Sequence, residues 1–276
     1  MPKPTRKEIR EHKKFLERQK VYENKYSKKY YSWLKSVNYA AARSYENGFS
    51  NYDINSSRLE RIYSQLYREV TINEASIQWK QFGIKKTKDI VDVLASILNT
   101  GEDEPISLWR SLLNQFITVR IAGRITEVEQ TTRKRIAVLI ERGQNEGLGA
   151  KEIAKLIRQD TGFNQNRSIA IARTETITSA NQGKYMAAIS SPFVKLKKWL
   201  PTKDEITRQS HLDFYDRPFV EMEQLFFVAN ADGFLEEALY PCDSRLSASN
   251  VVNCRCIIVF KNKLDDNGLP IRKRIG

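Results

Sequence analysis

The residues best suited to chemistry lie late in the chain. Cys254-Arg255-Cys256 is the one close cysteine pair among three cysteines, and His211 is one of only two histidines. Residues two apart on a strand point the same way, so a strand through this segment would put both sulfurs on one face. With Cys242 they make three thiols and one imidazole, the ligand set of a closed structural zinc site. Such a shell leaves no open position for water, so a metal there would fasten the fold and not catalyse. The spacing is not that of a zinc ribbon or finger, which needs two close pairs. The competing reading is that the cysteines are free, buried and act as small apolar residues.

Arg173-Thr174-Glu175 is a second polar group, set in a helical pattern. Arg173 and Glu175 are two apart and so face different ways on a helix. Their natural use is a polar helix surface, on which Glu175, Ser179 and Gln182 share a face that binds loops of the segment that follows. A hydrolase using His211 as general base would need a nucleophile or metal beside it. The spacing of Asp204 and Asp213 around His211 fits no Ser-His-Asp or Cys-His arrangement. The chain also lacks a phosphate-binding glycine loop and a His-Glu-x-x-His motif. No catalytic residue is therefore assigned, and the chain is expected not to be an enzyme. The alternative is a metal-dependent nuclease or transferase using His211 and Glu175.

The elements that must position these groups are mostly helical. Tyr22, Tyr26, Tyr30 and Trp33 recur at helical spacing within a strongly basic stretch, where residues 1–35 hold twelve Lys or Arg against four Glu. This suggests a basic, aromatic arm over 1–50 whose Lys3, Arg6, Lys7, Arg10, Lys13, Lys14, Arg18, Lys28 and Lys29 meet nucleic acid or a partner subunit. The other reading packs the aromatic stripe on the helical body. Asn47-Gly48 and Ser50–Ser57 read as a loop, and Ser57 with Glu60 fits a capping box. Further helices are expected near 87–98, from 105 to about 140 with a break near Gly123, over 151–159 closed by Gly162, and over 165–188 with a face of small residues. Helical character ends at Ser191-Pro192. Strands are expected at 194–200, 219–220 and 251–260, with helical turns near 221–227. The fold class is α+β: a mostly helical N-terminal two-thirds, with a helical domain over 51–190, then a small mixed module over 191–262 and a basic tail over 263–276.

Composition sets the outer limits. The chain has 276 residues, 41% of them apolar, enough for a substantial core. Its 46 Lys and Arg against 33 Asp and Glu give +13, a field that favours polyanionic partners. No apolar run is long enough to span a bilayer, no secretory signal leads the chain, and an odd number of cysteines suits reduced thiols or metal ligands.

The order of motifs resembles a known family. Ala172-Arg173-Thr174-Glu175-Thr176, Asn181 and Gly183, then Trp199, Asp204, Arg208, His211, Leu212 and Asp213, then Pro241, then Asn253-Cys254-Arg255-Cys256 are similar to the phage Mu F-like head-morphogenesis proteins, over roughly residues 130–260. The resemblance implies a minor head or minor capsid protein of a tailed double-stranded DNA phage, a virion component. It would be associated with the portal protein inside the head and with capsid or scaffolding proteins during assembly in the host cytoplasm. Some members bind DNA and influence its ejection. Two departures stand out. Leu212-Asp213 is followed by Phe214 where the family commonly has Gly, and Pro241 is followed by Cys242-Asp243 where the family commonly has Gly-Asp. Cys242 thus lies outside the shared pattern, which leaves His211, Cys254 and Cys256 as the metal-ligand trio.

Overall fold

The structure is a computed structural model that describes residues 3–82 and 104–273. The helix expected near 87–98 lies outside the described residues. The architecture is α+β. Among the described residues, five helices come first: α1 (Arg6–Glu46), α2 (Ser56–Gln81), α3 (Glu104–Asn145), α4 (Ala150–Gln159) and α5 (Thr161–Ile189). The C-terminal part carries β1 (Lys195–Leu200), α6 (Gln209–Leu212), β2 (Val220–Glu221), β3 (Phe226–Ala229), β4 (Leu235–Ala238), α7 (Ala248–Val251) and β5 (Ile257–Asn262). Packing divides the chain into two units. One comprises Met1–Val21, Tyr67–Phe116 and Arg173–Gly276, and the other Tyr22–Leu66 and Ile117–Ala172. The boundaries fall inside four long helices.

The all-helical unit is built on the aromatic stripe of α1. Tyr26, Tyr30 and Trp33 are fully buried. Tyr30 meets Tyr63 of α2 edge-on at 5.4 Å. The Trp33 indole N–H donates to the Ile54 carbonyl at 3.1 Å, so its one polar atom is satisfied. These rings therefore belong to the core and are not an exposed contact surface. The loop between α1 and α2 ends at Asn55, whose Oδ1 accepts the Arg58 amide at 3.2 Å. Asn55 thus caps α2 in place of the expected Ser57, because the helix begins at Ser56, two residues too early for a Ser57 box. α3 runs unbroken through Gly123, where an added Cβ would touch nothing within 4 Å. Nothing there needs a break, and hydrogen bonding carries the helix across the lower propensity of glycine. Gly162 likewise lies inside α5 and closes no helix; Asp160 ends α4, with its carboxylate forked by Arg135 at 2.9–3.0 Å.

The other unit holds the mixed module. β1 is the centre of an antiparallel sheet in the order β2-β1-β5, with Trp199 opposite Ile258 and Leu200 opposite Ile257. β3 and β4 form a separate antiparallel hairpin. This overturns the helical turns expected near 221–227. The Asn230 carboxamide oxygen accepts the amides of Asp232 and Phe234 at 3.0 Å, and Gly233 takes φ 85°, so local turn chemistry folds the hairpin. The last strand begins at Ile257, because Ala248–Val251 is a helical turn. Residues 263–273 turn back through Gly268 and pair with 192–194, where Val194 and Lys273 donate to Ile271 and Pro192 at 2.8 Å.

In the same unit α5 approaches α2 closely. A Cβ on Gly183 would lie 2.9 Å from the carbonyl carbon of Thr71, closer still to its oxygen, and 3.1 Å from the Ala75 amide nitrogen. The small-residue face read from the sequence is thus a close helix contact. Trp79 meets Trp109 edge-on at 5.6 Å, and the Trp109 indole donates to Ser190 at 2.9 Å.

Candidate functional site

Cys254 and Cys256 do not lie on a strand. They occupy the irregular segment 252–256 that leads into β5. A segment that enters the core without ladder bonds must find partners for its backbone groups among side chains. The motif residues supply them. Arg208 donates to the Val252 carbonyl at 2.7 Å. Thr174 Oγ1 accepts the Asn253 amide at 3.0 Å. Asn181 donates to the Cys256 carbonyl at 3.0 Å and accepts the Ile258 amide at 2.9 Å. The Arg255 carbonyl accepts from Thr202 Oγ1 at 2.9 Å and lies 3.0 Å from His12 Nε2. The Arg255 side chain pairs with Asp204, whose carboxylate also takes the Thr207 hydroxyl at 2.8 Å. These bonds hold the Asp204 carboxyl below its ordinary range even though burial acts the other way. Asn253 itself takes φ 58°, a left-handed conformation that asparagine tolerates better than most residues.

The sulfurs meet His211. Cys256 Sγ lies 3.3 Å and Cys254 Sγ 3.7 Å from His211 Nδ1. The three ligand atoms are all within 4.8 Å of one another, and all three residues are buried. Cys242 reaches the same group through a side-chain hydrogen bond to Cys254. That bond, with further ones from Cys256 and His211, holds the Cys254 thiol well below its ordinary range, whereas burial pushes Cys256 well above it. The Cys256 amide also points at Cys254 Sγ, at 3.5 Å. Trp199 closes one side, edge-on to His211 at 5.2 Å and stacked on Phe214 at 5.1 Å, with Phe226 edge-on to both rings.

The remaining site residues are placed elsewhere. Glu175 is buried and accepts the Tyr67 hydroxyl of α2 at 2.5 Å. Ser179 offers its carbonyl to Thr71, also on α2, and Gln182 reaches the C-terminal module through Tyr240. The face expected to bind the following loops is therefore shared, because α2 packs against most of it. Glu175 and His211, the pair of the nuclease reading, are engaged with different partners. Arg173 reaches Asn253 Oδ1 at 3.4 Å. Among the basic residues, Lys3, Arg6, Lys7, Arg10, Lys13, Lys14 and Lys28 are exposed. Arg18 instead forks Glu74 of α2 at 2.8 Å, and Lys29 donates to Gln65 at 2.7 Å.

Sequence reasoning missed His12, Thr202 and the partners behind His211. Asn250 Oδ1 lies 3.2 Å from His211 Nε2, and Asn250 Nδ2 donates to Glu236 at 2.9 Å. His12 and Arg255 are 243 residues apart, and no local pattern marks such a pair.

Comparison with known proteins falls on this region. Residues 134–259 match the family described as Phage Mu protein F like protein. An uncharacterized protein YqbB of Bacillus subtilis (strain 168) is 26% identical over 114 residues, which cover 41% of this chain and 36% of that protein. The match thus spans about a third of the curated relative's length. No solved structure matches. Residues 134–259, which hold α5, the His211 turn and the Cys254–Cys256 segment, are thus similar to the phage Mu F-like proteins.

Proposed function

We propose that the chain is a minor head protein of a tailed double-stranded DNA phage. In this reading it acts in head morphogenesis beside the portal protein, within the virion, and binds packaged DNA. The match over residues 134–259 carries the reading. A further observation favours a binding protein: Arg208, Thr174 and Asn181 of the motif bond the backbone of the chain's own 252–258 segment.

DNA contact is assigned to the first turns of α1. Arg6, Lys7, Arg10, Lys13 and Lys14 are exposed and lie within roughly a third of the helix circumference. Phe15 and Gln19 are buried and face the other way. If all five cations meet phosphates, log K falls against log salt with a slope of about −4.5, a loss of about 500-fold between 50 and 200 mM salt. Arg6→Gln, Lys7→Gln and Arg10→Gln together should bring the slope to about −1.8, with little dependence on sequence. Fluorescence anisotropy across salt measures this, and affinity that ignores salt removes the DNA assignment. Co-purification of the chain with a portal oligomer tests the other half; a chain that never associates with portal or particles refutes it.

A further inference from the structure

We propose that His211, Cys254 and Cys256 bind one zinc ion, as three protein ligands that tie helix α6 to the entry of β5. The fourth position on the metal falls to a small ligand from outside the chain, water in the simplest case.

The ligand atoms are already gathered. His211 Nδ1, Cys254 Sγ and Cys256 Sγ all lie within 4.8 Å of one another, the one such group of His, Cys, Asp or Glu side chains among the described residues. Tetrahedral zinc with ordinary bond lengths holds a sulfur and a nitrogen ligand about 3.6 Å apart. The observed separations of 3.3 and 3.7 Å bracket that value. Helix α6 is a single turn, and residues 252–256 have no ladder bonds, so regular structure joins neither to the other. A metal held by both would.

The far side of the imidazole sets its protons. Asn250 Nδ2 donates to the Glu236 carboxylate, which can only accept, so Asn250 Oδ1 is the atom that faces His211. His211 Nε2 therefore carries a proton. Nδ1 then holds either its lone pair or a second proton, and neither makes a strong hydrogen bond to two sulfurs at once. A cation among the three atoms engages all of them. Glu236 is itself fixed by the Ser247 amide at 3.0 Å and by Asn230 Nδ2 at 3.2 Å. A ligating histidine has this arrangement, its outer nitrogen held by a group that is anchored in turn.

Two N–H groups beside the trio suit the charge that zinc would bring. The Cys256 amide points at Cys254 Sγ from 3.5 Å. No hydrogen bond of ordinary geometry reaches the buried indole N–H of Trp199, whose ring lies edge-on to His211 at 5.2 Å. A neutral thiol is a weak acceptor, whereas an ionised one is a strong one. Thiolates with an imidazole favour zinc over magnesium, calcium and manganese. The three residues are buried, at 1–2% exposure, so the metal fastens the fold and admits no bulky substrate.

The full chain, purified under reducing conditions without chelator, should hold about one zinc by elemental analysis. X-ray absorption at the zinc edge should show two sulfur neighbours and two lighter ones. Cobalt(II) in place of zinc should give sulfur-to-metal charge transfer that halves in Cys254→Ser and in Cys256→Ser and persists in Cys242→Ser. Asn250→Leu leaves all three ligands in place and removes the support behind the ring. It should weaken zinc binding about 10- to 100-fold against a competing chelator, with circular dichroism checking the fold. A chain that neither holds zinc nor takes up cobalt overturns the site. So does a metal with three sulfur neighbours or none, or a folded Asn250→Leu variant that holds zinc as tightly as the wild type. The measurements on the unaltered chain decide the matter even where a variant does not fold.

Discussion

Three helical glycines allow one substitution to be read against three surroundings. Gly183→Ala adds a Cβ to α5 where α2 lies closest. The new carbon would sit 2.9 Å from the Thr71 carbonyl carbon, closer to its oxygen, and 3.1 Å from the Ala75 nitrogen. All these neighbours are backbone atoms inside a helix, so none can swing aside. The two helices must separate, which strains or opens the packing around Trp79 and Ala180. Overpacking of this kind costs about 3 kcal/mol at the upper end of the usual range. Against it stands a gain of about 1 kcal/mol from replacing glycine by alanine within a helix. The net is a destabilisation of about 2 kcal/mol. Gly123→Ala meets nothing within 4 Å, so it should keep the propensity gain and stabilise by about 1 kcal/mol. Gly143→Ala meets only the Ile153 side chain, at 2.5 Å, which can change rotamer, and should fall between the two. Urea unfolding monitored by circular dichroism measures the series. A G183A variant as stable as G123A would refute the close approach of α5 to α2.

Two more predictions concern the mixed module. Asn181→Ala leaves the Cys256 carbonyl and the Ile258 amide without their side-chain partner; two unmet buried groups should cost about 2–4 kcal/mol, seen as a lower urea midpoint, and an unchanged midpoint would mean that α5 does not hold the entry to β5. Burial lowers Lys195 and Lys197 on β1 to about 8 from 10.5, the nearby Lys273 adding to the effect on Lys195. Between these values the unfolded chain keeps protons that the folded chain has released, so stability should rise from about pH 8 to about pH 10. Above that range Tyr185, raised by burial to about 12, acts in the opposite sense. Lys197→Met should flatten the rise, and a wild-type stability that falls steadily across the window would contradict the burial of these amines.

The parts of the fold legible in the sequence are those set by local rules. Period-3.6 apolar spacing marked α1, α2, α4 and α5, and the β-rich run after Pro192 marked β1. The β3–β4 hairpin was hidden because Leu235-Glu236-Glu237-Ala238 has helical propensity and only Asn230 with Gly233 signals the turn. A closer reading of Asn230-Ala231-Asp232-Gly233 would have found it. At the site, Cys254 and Cys256 face one way as expected, although the reason differs. Strand alternation does not set them; a buried loop held atom by atom does. The trio left by the motif, His211, Cys254 and Cys256, is the group whose ligand atoms the fold brings within 4.8 Å of one another.

That loop accounts for the character of the motif. Between Val252 and Ile258 the chain passes from an exposed turn into the core, before the ladder of β5 can take its polar groups. Arg208, Thr174, Asn181, Thr202 and the Cys254 sulfur each meet one or two of those groups. Their donors and acceptors are dictated by the backbone they face: a carboxamide where a carbonyl and an amide must be met together, a hydroxyl where one amide stands alone, a guanidinium where a carbonyl sits near the surface. Arg208, Thr174, Asn181 and Thr202 thus share one task, the support of a single irregular segment. The exposed cations of α1 lie outside the motif, so the resemblance to the family and the surface proposed for DNA rest on different parts of the chain.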